Sequence, residues 1–260
     1  MLIASDLTVR QGQRVVLRGV SLQAQPGEVT VVVGPSGAGK STLLAALTSD
    51  LPYDGSVTLN DLDIKNANAV ELAQLRAVLP QSTPMTFPFT VLEVVRIGQI
   101  RSGADDQIAM RALAHVGLSG FAGRFYQELS GGEQQRVQLA RVLAQVWEPV
   151  QQGVPRWLFL DEPVSSLDIG HQIQVMQIIR DFAQGGGGVV MVMHDLNLTA
   201  MCADSLVLLV DGKILCQDKP EVALSDELLS RAYGCEIMVN RIPESGVFLL
   251  PQVVRPRGAC

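Results

Sequence analysis

The chain has 260 residues, of which 47% are hydrophobic and 18% are charged, and its formal net charge is −6. A chain of this length and composition can build a sizeable core, either as one domain of two lobes or as two small domains. The acidic balance argues against a broad nucleic-acid surface, so we expect no nucleic-acid partner.

Residues 2 to 33 predict short strands separated by turns at Gln11-Gly12 and Pro26-Gly27. The last of these strands, Val29 to Val33, is almost entirely apolar and β-branched, which is typical of a parallel strand buried on both faces. A helix from Lys40 to Ser49 is predicted next.

Between this strand and this helix lies GPSGAGKST, which matches G-x-x-x-x-G-K-[ST] at each fixed position. The backbone N–H groups of such a loop, at the positive end of a helix, can hold a polyphosphate. Lys40 would neutralise the β- and γ-phosphates, and the Ser41 hydroxyl would ligate Mg²⁺. A glycine-rich turn that merely contains a lysine is the alternative, but strand, loop and helix agree. The candidate ATP-binding residues of this phosphate loop are Gly34, Pro35, Ser36, Gly37, Ala38, Gly39, Lys40, Ser41 and Thr42.

Residues 82 to 147 contain three helical patterns and few β-branched runs. In the third pattern, Ser130 and Glu133 have the spacing of a capping box. Capping does not explain the two intervening glycines. Gly131 and Gly132 carry no side chain, so the start of this helix stays open to an outside anion. A second phosphate-binding element therefore follows the first.

Trp147 to Arg156 is predicted to be a connecting loop. The following WLFLDEP places Asp161 and Glu162 at the carboxyl end of a second buried strand, where open α/β sheets bind their ligands. Asp161 can join the Mg²⁺ shell, and Glu162 can take the proton of an attacking water. A solvated acidic corner is the alternative for an isolated pair, but the nearby phosphate loop favours catalysis.

Two further features follow in the chain. A helix from about Ile169 to Phe182 precedes four glycines, Gly185 to Gly188. We expect the glycines to end the helix and lead into the next strand, although a flexible hinge is the alternative. Leu206 to Cys216 predicts a hairpin around Asp211-Gly212.

Taken together, five motifs resemble the nucleotide-binding subunit of an ABC transporter over about residues 2 to 220. They are GPSGAGKST, LSGGEQQR, WLFLDEP, Ser165-Ser166-Leu167-Asp168 and His194. The resemblance implies an α/β fold: a RecA-like P-loop NTPase core with an amino-terminal antiparallel β subdomain and an inserted α-helical subdomain. In this single domain, residues 1–81 and 149–225 would form the core with the β subdomain. Residues 82–148 would form the helical subdomain, and residues 226–260 a carboxyl-terminal extension.

The resemblance also implies roles for matching positions. Two copies would pack head to tail, with ATP and Mg²⁺ between the phosphate loop of one and the signature motif of the other. Gln81 would sense Mg²⁺ and the membrane partner, and His194 would be a catalytic switch residue at the γ-phosphate. Asp168 would lie in the D-loop that crosses the dimer interface. The Mg²⁺ residues would be Ser41, Gln81 and Asp161, and the signature residues Leu129, Ser130, Gly131, Gly132 and Glu133.

One position departs from the family pattern. Members commonly carry an adenine-stacking aromatic residue where this chain has Gln11, and no aromatic residue occurs from Leu7 to Leu22. Since base–aromatic stacking contributes ~1–3 kcal/mol, we expect only modest adenine selectivity. The guanidinium plane of Arg10 or Arg14 could substitute.

The segment FPFTVLEVVRIG, Phe87 to Gly98, follows Gln81, where the family receives its permease. This segment and LARVLAQVWEP resemble the haem-import ATPases of Gram-negative bacteria, a branch of the siderophore and cobalamin importer group. The resemblance implies polytopic permease subunits as partners and, indirectly, a periplasmic substrate-binding protein. Packing of the helical lobe is the alternative explanation for Phe87, Pro88 and Phe89, and both explanations can hold.

The location follows from what the sequence lacks. MLIASDLTVR has no signal-peptide pattern, and no apolar run approaches the ~20 residues that span a bilayer. The spacing of Cys202, Cys216, Cys235 and Cys260 favours reduced thiols over disulfides or zinc. We therefore expect a peripheral protein at the cytoplasmic face of the bacterial inner membrane.

Alternatives stay open at this stage. The cargo of an importer could be a ferric siderophore or cobalamin instead of haem. A non-transport ABC ATPase for cluster assembly would have a similar length. A P-loop kinase is a third class, but it leaves LSGGEQQR unexplained.

Overall fold

A computed structural model describes residues 1–82, 85, 87–99 and 105–253. Cys260 and the end of the predicted carboxyl-terminal extension lie outside the described residues. The described strands are β1 (Leu2–Gln11), β2 (Arg14–Ala24), β3 (Val29–Val33), β4 (Asp54–Leu59), β5 (Leu62–Asp63), β6 (Arg76–Leu79), β7 (Val150–Gln151), β8 (Val154–Pro155), β9 (Trp157–Asp161), β10 (Gly188–Val192), β11 (Ser205–Val210) and β12 (Lys213–Asp218). The described α-helices are α1 (Lys40–Leu47), α2 (Ala69–Leu75), α3 (Val91–Ile97), α4 (Asp106–His115), α5 (Gly131–Gln145), α6 (Ile169–Gln184), α7 (Leu196–Cys202), α8 (Pro220–Ala223) and α9 (Asp226–Tyr233).

The centre of the molecule is a six-stranded sheet in the order β12-β11-β3-β10-β9-β6. Its strands pair in parallel, apart from the antiparallel pair of β11 and β12. Every residue of β3, β9 and β10 is buried, which matches their nearly continuous apolar sequences. Because side chains alternate along a strand, Val31 and Val33 face one core and Val32 faces the other.

Those two cores separate the remaining layers. On one side, α1 packs with an antiparallel sheet in the order β2-β1-β4-β5. On the other side, α6 packs together with the helical lobe built from α3, α4 and α5. The α/β class, the antiparallel β subdomain and the helical lobe predicted from the sequence are confirmed.

The structure corrects two sequence predictions. The first strands are not short, because β1 has 10 residues and β2 has 11. Trp147 to Arg156 is not only a loop, because β7 and β8 form a small antiparallel hairpin. Its turn residues Gln152 and Gly153 both have positive φ, 51° and 78°. Two-residue strands are too short to leave a periodic pattern in a sequence, which explains the error.

The other element predictions are confirmed. Helix α1 begins at Lys40 as predicted and ends at Leu47, two residues before the predicted Ser49. Helix α6 begins at Ile169 and ends at Gln184, slightly beyond the predicted Phe182. The glycine run ends α6 and leads into β10. Strands β11 and β12 form the predicted hairpin around Asp211-Gly212.

Helix α9 packs against β11 and β12, at the start of the predicted extension. None of the helices in the described ranges is long and apolar enough to cross a membrane.

Candidate functional site

Four neighbouring parallel strands end at one edge of the central sheet, and each leads into a predicted site residue. Val192 of β10 lies beside Val32 of β3 and Asp161 of β9. Leu79 of β6 lies beside Leu160 of β9. This register brings the phosphate loop, the Asp161-Glu162 pair, His194 and Gln81 to the same edge, although they are far apart in sequence.

The phosphate loop wraps around the amino terminus of α1. The Lys40 side chain is only 6% exposed, and its ammonium group donates hydrogen bonds to the carbonyls of Gly34 at 2.8 Å and Pro35 at 3.0 Å. Burial lowers the pKa of Lys40, and the negative charges of Glu162 and Asp161 oppose this shift. The ammonium group is therefore held beside the loop backbone, where it can meet a phosphate.

Asp161 is buried at the end of β9, with 7% of its surface exposed. Burial raises the pKa of its carboxyl group, and a hydrogen bond with the Ser41 side chain opposes this shift. Within the described part of the chain, its Oδ1 atom is buried and has no hydrogen-bond partner. A buried carboxylate oxygen without a partner is costly, and a cation would offset that cost.

This arrangement fits Mg²⁺. Among the described residues, no group of three or more His, Cys, Asp and Glu side chains could hold a metal ion. Mg²⁺ in nucleotide sites commonly uses one or two protein oxygens and completes its shell with phosphate and water oxygens. The carboxylate of Asp161 and the hydroxyl of Ser41 are such a pair.

Glu162 has an unusual backbone conformation that directs its side chain along the sheet edge. Its φ is 51°, a region that residues other than glycine seldom adopt. Its N–H donates to the carbonyl of Val192 at 3.1 Å, which ties the loop to the end of β10. Strained backbone of this kind is concentrated at functional sites.

The carboxylate of Glu162 lies next to two other predicted site residues. Its Oε1 atom is 2.6 Å from Nε2 of His194 and 3.5 Å from Nε2 of Gln81. The Glu162 side chain is 15% exposed and that of His194 is 49% exposed, so the pair lies at the boundary with solvent. A water molecule can reach this carboxylate, while the two neighbouring groups restrict its orientation.

The signature helix is α5, and its capping box is confirmed. The Ser130 hydroxyl accepts a hydrogen bond from the N–H of Glu133, and the Glu133 carboxylate accepts one from the N–H of Ser130. The hydrogen bonds from Ser130 lower the pKa of Glu133. Ser130 and Gly131 are exposed, and a Cβ atom added at Gly131 would have no neighbour within 4 Å. The helix start is thus open to solvent, and Leu129 before it is buried.

Asp168 is the N-cap of α6. Its carboxylate accepts a hydrogen bond from the N–H of His171 at 3.0 Å and lies 2.8 Å from Nδ1 of the same residue. The backbone bond from His171 is the main cause that lowers the pKa of Asp168. His171 lies in a helix as predicted, but it has a specific partner that the sequence did not reveal.

Other predicted residues are separate from this cluster. Gln11, Arg10 and Arg14 are exposed around the turn between β1 and β2, where Gln11 pairs with Arg14. Phe87 is 67% exposed, whereas Phe89 is partly buried against the core of the helical lobe. Packing of the helical lobe therefore accounts for Phe89, and the exposed ring of Phe87 stays available for the permease contact predicted from the sequence.

The sequence did not point to two residues that contact the site. The Gln135 side chain donates to the carbonyl of Glu162 at 2.9 Å and accepts from the N–H of Ser166 at 3.1 Å. Tyr233 in α9 lies near the phosphate loop: burial raises the pKa of its phenol, and the backbone of Gly34 opposes this shift. Gln135 lies inside the LSGGEQQR motif, but neither contact is local in sequence, so no spacing rule predicts it.

Comparisons with known proteins show the family to which the chain belongs. The ABC transporter family matches residues 6–165. The hemin import ATP-binding protein HmuV of Jannaschia sp. (strain CCS1) is 58% identical over 99% of this chain and 97% of its own length. The hemin import ATP-binding protein HmuV of Rhizobium meliloti (strain 1021) is 53% identical over 97% of this chain and 98% of its own.

Solved structures of ATP-binding cassettes are also similar to this chain. The ADP conformation of an ATP-binding cassette of an ABC transporter is 26% identical, with a TM-score of 0.76, over 91% of this chain and 99% of that one. A dimeric ATP-binding cassette in a post-hydrolysis state, bound to ADP and Pi, is 27% identical. Its TM-score is 0.73, over 85% of this chain and 99% of that one.

Proposed function

Because the chain belongs to the ABC transporter family, we propose that it binds and hydrolyses ATP with Mg²⁺ to drive haem import across a bacterial inner membrane. The proposed ATP hydrolysis is supported by one observation: the same edge of the central sheet holds Lys40, Asp161, Glu162 and His194. The haem part rests on relatives named hemin import ATP-binding proteins, which share more than half of their residues with this chain over nearly its whole length.

In the proposed reaction, the phosphate loop and Lys40 hold the triphosphate, and Ser41, Asp161 and Gln81 hold Mg²⁺. The metal would neutralise charge on the β- and γ-phosphates. Glu162 takes a proton from the attacking water, and His194 orients the Glu162 carboxylate through the 2.6 Å contact and faces the γ-phosphate.

The second phosphate-binding element serves a different ATP molecule. The amino terminus of α5 is exposed at Ser130 and Gly131, and the open space beside Gly131 can receive a γ-phosphate held by the phosphate loop of a second copy. A head-to-tail dimer then encloses two ATP molecules, each bound by both copies. A dimeric ATP-binding cassette with a related sequence supports this arrangement. In it, Asp168 would lie in the loop that crosses the dimer interface.

The dimer would act on a permease from the cytoplasmic face of the membrane. Exposed Phe87, close in sequence to Gln81, is suited to receive a cytoplasmic segment of the permease, whereas Phe89 supports the lobe from inside. Nucleotide-driven closure then moves the Gln81 region. Shifting a two-state gate from 1:99 to 99:1 requires ~5.5 kcal/mol of differential binding, which two shared triphosphates can supply.

Transport in reconstituted vesicles tests this proposal. The chain and its partner permease are reconstituted in vesicles with ATP inside, the substrate-binding protein is added outside, and uptake of labelled haem, ferric siderophore and cobalamin is compared. Haem uptake that requires ATP and fails with Glu162→Gln is expected. Uptake of only a siderophore or cobalamin would reassign the cargo, and co-purification with soluble scaffold proteins instead of the permease would contradict transport.

A further inference from the structure

The side chain of Gln135 joins the signature helix to the catalytic loop of its own chain by hydrogen bonds. The amide nitrogen of Gln135 donates to the carbonyl oxygen of Glu162, and the amide oxygen of the same side chain accepts from the N–H of Ser166. The two bonds are 2.9 and 3.1 Å long, and Gln135 is partly buried. One amide group therefore uses both its donor and its acceptor on residues 162–166.

The first turn of α5 also packs tightly on this loop. A Cβ atom added at Gly132 would lie 3.1 Å from the carbonyl oxygen of Ser166 and 3.4 Å from the Leu167 side chain. These distances leave little room for a side chain, so the glycine permits the close approach. Gly131, one residue earlier, has open space instead. The two glycines therefore face different surroundings: Gly131 faces solvent, and Gly132 faces the catalytic loop.

The loop that Gln135 holds sets the position of the catalytic base. Glu162 has a φ of 51°, and its carbonyl oxygen also accepts bonds from the N–H and the hydroxyl of Ser165. A strained conformation of this kind persists only when its surroundings fix it. Of these bonds to the carbonyl of Glu162, the one from Gln135 comes from the helical lobe.

We propose that Gln135 is a positioning residue that couples the two nucleotide sites of the dimer. This inference rests on the proposed function, in which the start of α5 binds the ATP held by the partner copy. An α-helix moves as a rigid unit, so a shift of its first turn on that phosphate also moves Gln135. The shift then reaches the carbonyl of Glu162, whose carboxylate serves the ATP of its own chain. Binding at one site thereby prepares the base at the other.

The test compares the full-length chain with its Gln135→Met and Gln174→Met variants. Gln174 is a matched control because its amide also joins the lobes, donating to the carbonyl of His115 at 3.2 Å. Among the described contacts it has no hydrogen bond to residues 162–166. The measurements are kcat, KM and the Hill coefficient of ATP hydrolysis, together with ATP-dependent dimerisation in the Glu162→Gln background.

We expect Gln135→Met to lower kcat roughly ten- to a hundredfold, because small displacements of a catalytic group are costly. Its KM should stay within about twofold, because the phosphate loop is untouched. The Hill coefficient should fall towards one, and the ATP-dependent dimer should persist. Gln174→Met should match the parent. Parental kcat and Hill coefficient in Gln135→Met, or a change confined to KM, would overturn the inference.

A second variant covers the case in which Gln135→Met does not fold. Gln135→Glu keeps an oxygen for the N–H of Ser166 and loses the donor to the carbonyl of Glu162. It should also lower kcat and the Hill coefficient, and parental values would again overturn the inference. If the parent neither hydrolyses ATP nor dimerises with it, the proposed function fails as well. If the parent does both and only the coupling is absent, the proposed function stands.

Discussion

The two regions proposed to bind phosphate in this chain are built in opposite ways. Around the phosphate loop, Lys40 and Asp161 are buried and one carboxylate oxygen has no partner among the described residues. At the start of α5, Ser130 and Gly131 are exposed, and a capping box satisfies the polar side chains. In the first region, a buried carboxylate oxygen lacks a hydrogen-bond partner, and a bound ligand can supply one. In the second region, the polar side chains already have partners, so the helix start can receive a ligand held by another molecule.

The largest expected effect tests the first region. Glu162→Gln should lower kcat by about 10²–10⁴-fold, because a general base contributes that much to rate. ATP binding should persist, because the amide does not alter the phosphate loop. Phosphate release and binding of a fluorescent ATP analogue measure the two quantities. Glu148→Gln, at an exposed glutamate, is the control. Parental hydrolysis in Glu162→Gln would remove the catalytic role from Glu162.

The second prediction separates the two regions. Gly131→Ala adds a methyl group in open space, so the fold and ATP binding to a single chain should be unchanged. Turnover of the dimer should fall roughly tenfold, because the methyl group obstructs the phosphate held by the partner copy. Titration with a fluorescent ATP analogue and a hydrolysis assay give both values. If single-chain ATP affinity falls instead, the start of α5 serves its own ATP, and the contrast between the regions is wrong.

A smaller effect concerns adenine. Arg10→Ala and Arg14→Ala together should reduce the preference for ATP over GTP by no more than about tenfold, the range of a weak stacking contact. Competition binding with both nucleotides measures the preference, and Arg18→Ala on β2 is the control. A strong preference for ATP that survives both substitutions would show that another group reads the base.

The smallest effect concerns stability. Burial raises the pKa of Asp161, so the folded chain holds this proton more tightly than the unfolded chain. The free energy of unfolding therefore falls as pH rises from about 3.9, the ordinary aspartate pKa, through the raised value. The cost of burying the charged carboxylate is present in full only above the raised pKa. Asp161→Asn should raise the melting temperature of the nucleotide-free chain by roughly 1–3 °C. If the melting temperature of Asp161→Asn does not rise relative to that of an Asp54→Asn control, the inference that the buried carboxylate of Asp161 destabilises the folded chain is wrong.

The sequence predicted the local structure around a candidate site residue wherever that residue belongs to a contiguous pattern. The phosphate loop, the capping box at Ser130 and the strand before Asp161 each have local rules that fix their structure. The contact of Gln135 with Glu162 and Ser166 joins a helix to a loop 27 to 31 residues away. No local rule predicts a contact between residues so far apart in sequence. The separate positions of Phe87 and Phe89 likewise depend on the packing of the lobe, which a single sequence does not encode in its periodicity.

The four glycines from Gly185 to Gly188, the last of which begins β10, have a consequence for engineering. Composition alone suggests a linker that could be stiffened by substituting larger residues. A methyl group at Gly187 would lie 2.3 Å from the ring of Phe182, and one at Gly188 would lie 2.4 Å from the ring of Trp157. Rigidifying mutations there would push two aromatic rings out of place at the base of the central sheet. The segment is best left intact in any attempt to make the protein more heat-resistant.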